Sequence, residues 1–188
     1  MKKLVLNFRS KDIKKLKYPK NLLGGKGANL SEMGKMRLPV PPGFTISTKV
    51  CDLFYLNNKK LNSKIINQIK KELKIIEKEV NKKFGDFKNP LLLSVRSGAR
   101  ISMPGMMDTI LNLGLNDKTV VALAKKTSNG RFAKDSYRRF IQMYGSVVLG
   151  VESFHFEDLI ENYKLTKGVL LDTDLDEEDW DGLVKDFK

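Results

Sequence analysis

The sequence predicts an α+β fold, because short apolar runs bounded by glycine and proline occupy its first 115 residues and apolar residues at helical spacing occupy most of the rest. Leu4, Val5, Leu6 and Phe8 form a first strand. A polar stretch then leads through Pro19 to Leu22-Leu23-Gly24-Gly25, where the glycines open an amphipathic helix carrying Ala28, Leu30, Met33 and Met36. Residues 38–43 exclude helix, since three prolines remove donors and fix φ. Residues 44–48 resume as a strand, with Thr48 placed to cap the next helix. Ile65, Ile66, Ile69, Leu73, Ile76 and Val80 keep helical spacing across a Lys- and Glu-rich segment that ends near Phe84-Gly85, its charged face solvated. Residues 90–96 read as a buried strand, 97–108 as a loop with two glycines and a proline, and 109–115 as a second strand. From Asn116 onward the signals are helical: Val120 to Ala124, Phe132 to Tyr144, Phe156 to Leu165, and Leu175 to Val184 behind an acidic first turn. The expected organisation is an α+β lobe over residues 1–115 and a mainly helical lobe over residues 116–188.

Of the 188 residues, 41% are apolar, enough for a core in one compact domain or two small lobes. Lys and Arg total 35 against 22 Asp and Glu, a formal charge of +13. Polyanions such as nucleotides, nucleic acid or acidic surfaces are therefore favoured, although scattered lysines produce the same excess with no partner involved. The excess is uneven: residues 1–171 carry +19 and residues 172–188 carry −6. The single cysteine, Cys51, excludes an intramolecular disulfide, fits a reducing cytosol and reads as a small core residue. The first apolar run is broken by Asn7 and Arg9 and lacks a signal-peptide core, and nowhere do about 18 apolar residues run together. A soluble, cytoplasmic protein without membrane contact is expected.

Several residues are candidates for chemistry. Gly24-Gly25-Lys26-Gly27 at a helix start offers backbone N–H groups, the positive end of the helix dipole and an ammonium, which together suit a phosphate; a glycine turn beside a surface lysine reads the same way. Arg96 at the end of an apolar strand is pinned for bidentate donation to phosphate oxygens, or else pairs with a carboxylate such as Asp108. Arg100 follows four residues later. The loop through Gly98 and Gly105, with Met103, Met106 and Met107, suits a lid that excludes water, or packs its methionines as core filler. Arg138 and Arg139 are successive on a helix, about 100° apart, so at most one faces a shared site. His155 is the only histidine, which excludes a histidine metal cluster and reads as a packed or surface residue. The acidic residues from Asp172 to Asp181 lack the glycine and glutamate spacing of a calcium loop and serve as helix-capping charge.

Three segments together resemble the pyruvate, phosphate dikinase family: Asn21-Leu-Leu-Gly-Gly-Lys-Gly-Ala-Asn-Leu-Ser-Glu-Met33, Leu38-Pro-Val-Pro-Pro-Gly-Phe-Thr-Ile46 and Leu93-Ser-Val-Arg-Ser-Gly-Ala-Arg-Ile-Ser-Met-Pro-Gly-Met-Met-Asp-Thr-Ile-Leu-Asn-Leu-Gly-Leu115. The first two are shared with pyruvate, water dikinases, whereas the long methionine-rich loop is specific to the phosphate-using branch. Residues 136–144 and 168–174 also look like that family.

The resemblance implies an ATP-grasp nucleotide-binding domain, incomplete in this chain, with a helical second lobe. In that family ATP with magnesium gives its β- and γ-phosphates to a histidine on a separate domain; one phosphoryl group then passes to phosphate and the other to pyruvate. Carried over by position, Lys26 and Arg96 hold ATP phosphates, with Arg96 the catalytic candidate; the loop from Gly98 through Gly105 to Thr109 closes over them, and Arg139 adds a contact. No metal ligand is expected here, because the magnesium-binding carboxylates and the adenine pocket fall outside this chain. The partners implied are the nucleotide and the remaining dikinase domains, in cis or in trans, in what is a homodimer at full length. An alternative is a catalytically inactive remnant acting as an interaction module. Nucleic-acid binding driven by charge alone is the third possibility, and no nucleic-acid motif supports it.

Overall fold

The computed structural model describes residues 3–10, 13, 17–98 and 109–188. It is mixed helix and small antiparallel sheets, as an α+β fold requires. The chain forms two compact units, one of Met1–Asn81 with Ser97–Met107, the other of Lys82–Arg96 with Asp108–Lys188.

In the first unit β1 (Val5–Asn7) pairs antiparallel with β2 (Phe44–Ile46), Leu6 opposite Thr45. Three helices accompany the pair: α1 (Pro19–Lys35), α2 (Thr48–Leu56) and α3 (Ser63–Val80). Proline begins α1, where its missing N–H has no intrahelical partner to lose. The helix is then interrupted at Gly24, whose φ of 68° and ψ of 173° are not helical. The face that α1 buries is Leu23, Gly27, Ala28 and Ser31, while Met33 and Met36 are exposed, unlike the expected apolar side. The cause is a close approach. A Cβ on Gly27 would lie 2.7 Å from Thr45 Oγ1, so the helix backbone rests on β2 and only small side chains fit between them. Ser31 turns its hydroxyl back to the Gly27 carbonyl at 2.8 Å and so can be buried. Leu6, Ile13, Leu23 and Ala28 make the core beside this contact.

Thr48 does not cap α2. Ser47 occupies the N-cap position, and the Thr48 hydroxyl donates to the Asn21 carbonyl at 2.8 Å, tying the start of α2 to α1. Asn62 caps α3 by accepting from Lys64 N–H, and Asn81 ends it in the left-handed region. The polar side of α3 is more than a solvated face. Gln68 Oε1 accepts from Leu4 and Val5 N–H at 2.9 and 3.2 Å, buried Glu72 pairs with Lys3 at 3.1 Å, and Glu79 pairs with Arg9. These three residues lie on one helical stripe and anchor the edge of β1. Cys51 is exposed on α2, not a core residue.

In the second unit β3 (Leu93–Arg96) pairs antiparallel with β4 (Thr109–Leu113); Arg96 faces Thr109 and one extra residue enters β4, where Asn112 has φ 58°. Ser94, Val95 and Arg96 are exposed, so β3 is not the buried strand expected. A two-stranded ribbon covers only one face of its strands. Four α-helices are described in the unit: α4 (Thr119–Thr127), α5 (Gly130–Tyr144), α6 (Ser153–Lys167) and α7 (Glu177–Asp186). Leu115, Val120, Ala133, Tyr137 and Val184 form one core, with Leu92 packed against it; Ile160, Leu175, Trp180 and Leu183 form another. Leu92 and Leu115 flank the strand pair, which is why β3 and β4 join the helices and are not divided from them at residue 115.

Replacing Gly27 with Ala tests the close approach. Alanine gains about 1 kcal/mol of intrinsic helix propensity, yet the collision with Thr45 should make the variant about 1–3 kcal/mol less stable in urea unfolding. Adding Thr45→Ala should recover most of that loss.

Candidate phosphate-binding site

Because Gly24 leaves the helical region, a new helical segment opens immediately after it, and the N–H groups of a first helical turn lack i−4 acceptors. Lys26 stands in that turn. It is half-buried, and the ion pairs described in its unit, Lys3 with Glu72 and Arg9 with Glu79, do not include it. Gly27, next along, fixes this turn against β2. Donors, dipole and ammonium therefore share one short stretch held from beneath, an arrangement that fits an oxyanion such as a phosphate.

The second unit brings Arg96 and Thr109 together as direct partners at the end of the β3–β4 ribbon where the chain passes from one strand to the next. Arg96 is exposed and not pinned by burial, which corrects the expectation for its side chain. Gly98 is also exposed, with nothing within 4 Å of the position a Cβ would take. Residues 99–108 lie outside the described residues, and with them most of the expected lid, Arg100, Met103, Gly105, Met106 and Met107, and the alternative partner Asp108.

Arg138 and Arg139 divide as their spacing on α5 requires. Arg138 is 5% exposed; its guanidinium stacks 4.6 Å from the Trp180 ring, donates to Asp135 and Gln142, and belongs to the core. Arg139 has a side chain 60% exposed and donates through Nε to Asp135 at 3.2 Å. Asp135 was not singled out from the sequence, although its i,i+3 and i,i+4 spacing to the two arginines was a signal that could have found it.

Residues 20–78 match the family model described as the pyruvate phosphate dikinase AMP/ATP-binding domain. The pyruvate, phosphate dikinase of Entamoeba histolytica is 55% identical over 89% of this chain, and that of Clostridium symbiosum 55% identical over 90%. The chain is homologous to the N-terminal, ATP-binding part of pyruvate, phosphate dikinase. A chloroplastic dikinase of Flaveria pringlei is 52% identical across the whole chain. The chain spans about a fifth of the length of these relatives, 19–20% of each. The domain match contains the Gly24-to-Gly27 turn, whereas Arg96, Thr109 and Arg139 lie in the region aligned with the longer dikinases.

The remaining candidates have other surroundings. His155 is exposed, its ring 3.9 Å from that of Phe154. In the acidic stretch Asp176 caps α7 by accepting from Glu178 and Asp179 N–H, and Lys167 beside it holds its carboxyl down to about 2. Among the described residues no group of three or more His, Cys, Asp or Glu side chains is gathered as a metal cage. No helix among them is long and apolar enough to cross a membrane.

The backbone of Gly24 lies where only glycine is at ease. Gly24→Ala should therefore cost about 1–3 kcal/mol in urea unfolding, while Lys26→Ala should leave stability within about 0.5 kcal/mol because no structural partner is lost.

Proposed function

We propose that this chain is the nucleotide-binding N-terminal portion of a pyruvate, phosphate dikinase of ATP-grasp architecture, and that it holds the phosphates of ATP. The observation that carries the proposal is Lys26 in the turn opened by Gly24, inside the stretch homologous to an AMP/ATP-binding domain. The phosphate-binding roles implied by the family fall to Lys26 with its glycine turn and to Arg96, Thr109 and Arg139. Arg96 is the catalytic candidate because it can neutralise charge on a phosphoryl group in transfer, and phosphoryl transfer depends mainly on positioning and charge stabilisation. The loop from Gly98 through Gly105 to Thr109 serves as the lid. Magnesium, when bound, screens the phosphate charge, and its carboxylate ligands come from outside this chain.

With the remaining dikinase domains, in cis or in trans, the reaction is conversion of ATP, phosphate and pyruvate to AMP, pyrophosphate and phosphoenolpyruvate through a phosphohistidine, in a cytoplasmic homodimer. Those domains must also supply that histidine, since His155 has an aromatic and acidic setting unlike a mobile phosphoryl carrier. An interaction-only role finds no support in the homology to an ATP-binding domain.

An equilibrium titration with magnesium ATP of the wild-type chain, Lys26→Ala and Arg96→Ala, at low and high salt, tests this. Loss of one charge-assisted contact should weaken binding about tenfold or more in each variant. Binding that is insensitive to both substitutions but collapses with salt would instead assign it to the general excess of lysine.

A further inference from the structure

On α5 the Asp135 carboxylate stands between two arginines of opposite fate. Oδ1 accepts from Arg138 Nη2 at 2.5 Å, while Arg139 Nε lies 3.2 Å from Oδ1 and 3.1 Å from Oδ2. Arg138 is committed to the fold: its other terminal nitrogen donates to Gln142 at 2.9 Å and its plane stacks on Trp180, the side chain being only 6% exposed. Arg139 is exposed and gripped through Nε. A guanidinium held at Nε keeps the edge made by its two terminal nitrogens available, and that edge matches two oxygens of a phosphate. The carboxylate itself is 15% exposed and is anchored by the buried Arg138, so its position does not depend on the exposed side chain it holds.

We infer that Asp135 is a positioning residue for nucleotide binding: it fixes the Arg139 guanidinium so that the Nη1–Nη2 edge is presented to a phosphate of the nucleotide. The inference rests on the proposal that Arg139 contacts phosphate. It also has a sign that a bystander carboxylate cannot imitate. A negative charge near a bound phosphate repels it, so an Asp135 acting through charge alone opposes binding and its removal tightens the complex. An Asp135 that orders Arg139 favours binding, and its removal weakens the complex.

The experiment is a double-mutant cycle. Dissociation constants for magnesium ATP are measured on the full chain for wild type, Asp135→Asn, Arg139→Ala and the double variant, with thermal unfolding of each. Asp135→Asn should weaken binding about three- to tenfold, the cost of ordering a freed arginine at each binding event. In the Arg139→Ala background the same change should shift affinity less than about twofold. Asp135→Glu, which keeps a carboxylate on that helical face, should recover part of the affinity. Leu183→Ala, which opens a cavity in the core and removes no partner of Asp135 or Arg139, should lower Tm while leaving affinity in place. This guards against a loss that comes from the fold alone. Weakening by Arg139→Ala together with unchanged or tighter binding by Asp135→Asn overturns the role of Asp135 and leaves the phosphate contact of Arg139 standing. An Arg139→Ala variant that binds like wild type overturns both. Equal losses from Asp135→Asn with and without Arg139 also overturn the inference, since the effect then runs through the fold and not through Arg139.

Discussion

The constraint on which the candidate site depends is the contact of a helix backbone with a strand, Gly27 of α1 against Thr45 of β2. A backbone brought this near leaves room for a hydrogen at the glycine Cα and for little else, so Gly27 sits against the strand with Leu23, Ala28 and Ser31 buried on the same helix while Met33 and Met36 stay exposed. The same contact fixes the height and rotation of the first turn after Gly24. That turn carries Lys26 and the N–H groups a phosphate would meet. Packing and chemistry here are one arrangement: loosening the glycine contact moves the turn, and filling the Gly24 position with a side chain strains its opening.

A second constraint concerns how cations are kept useful. Arginine in a core is neutralised and hydrogen-bonded, as Arg138 is by Asp135, Gln142 and the Trp180 ring, and such a group is no longer free to bind a ligand. Lys26 and Arg96 take the other course, half-buried and exposed respectively, outside the ion pairs described in their units. Arg139 is intermediate, held at one nitrogen and open at the others. The formal charge of +13 draws polyanions in general; only side chains placed in this way can select phosphate groups at fixed positions.

Much of the architecture was legible in the sequence because glycine and proline punctuate it. Pro19 and the prolines of residues 38–43 bracket elements that formed where the spacing put them, and the four C-terminal α-helices follow their apolar periodicity closely. The misreadings share a cause, which is contact between segments distant in sequence. Met33 and Met36 keep helical spacing but lie on the side opposite β2, and nothing local reveals that Thr45 will sit under Gly27. Residues 90–96 look buried because they are apolar, yet the ribbon they form has an open face. Gln68, Glu72 and Glu79 read as surface charge until β1 is laid beside α3. At the candidate site the break at Gly24 was readable from its glycines, and the strands that carry Arg96 and Thr109 from the apolar runs on either side of a loop. Asp135 was missed because helical i,i+4 ion pairs are common and individually weak.

The most direct test of the central claim is a titration of the isotopically labelled chain with magnesium ATP, following backbone amide resonances. A phosphate seated on the turn that Gly27 holds in place should shift the amides of Gly24, Gly25, Lys26 and Gly27 first and most, in step with saturation. Shifts spread over lysine-rich surfaces, with these four amides unmoved, would contradict it.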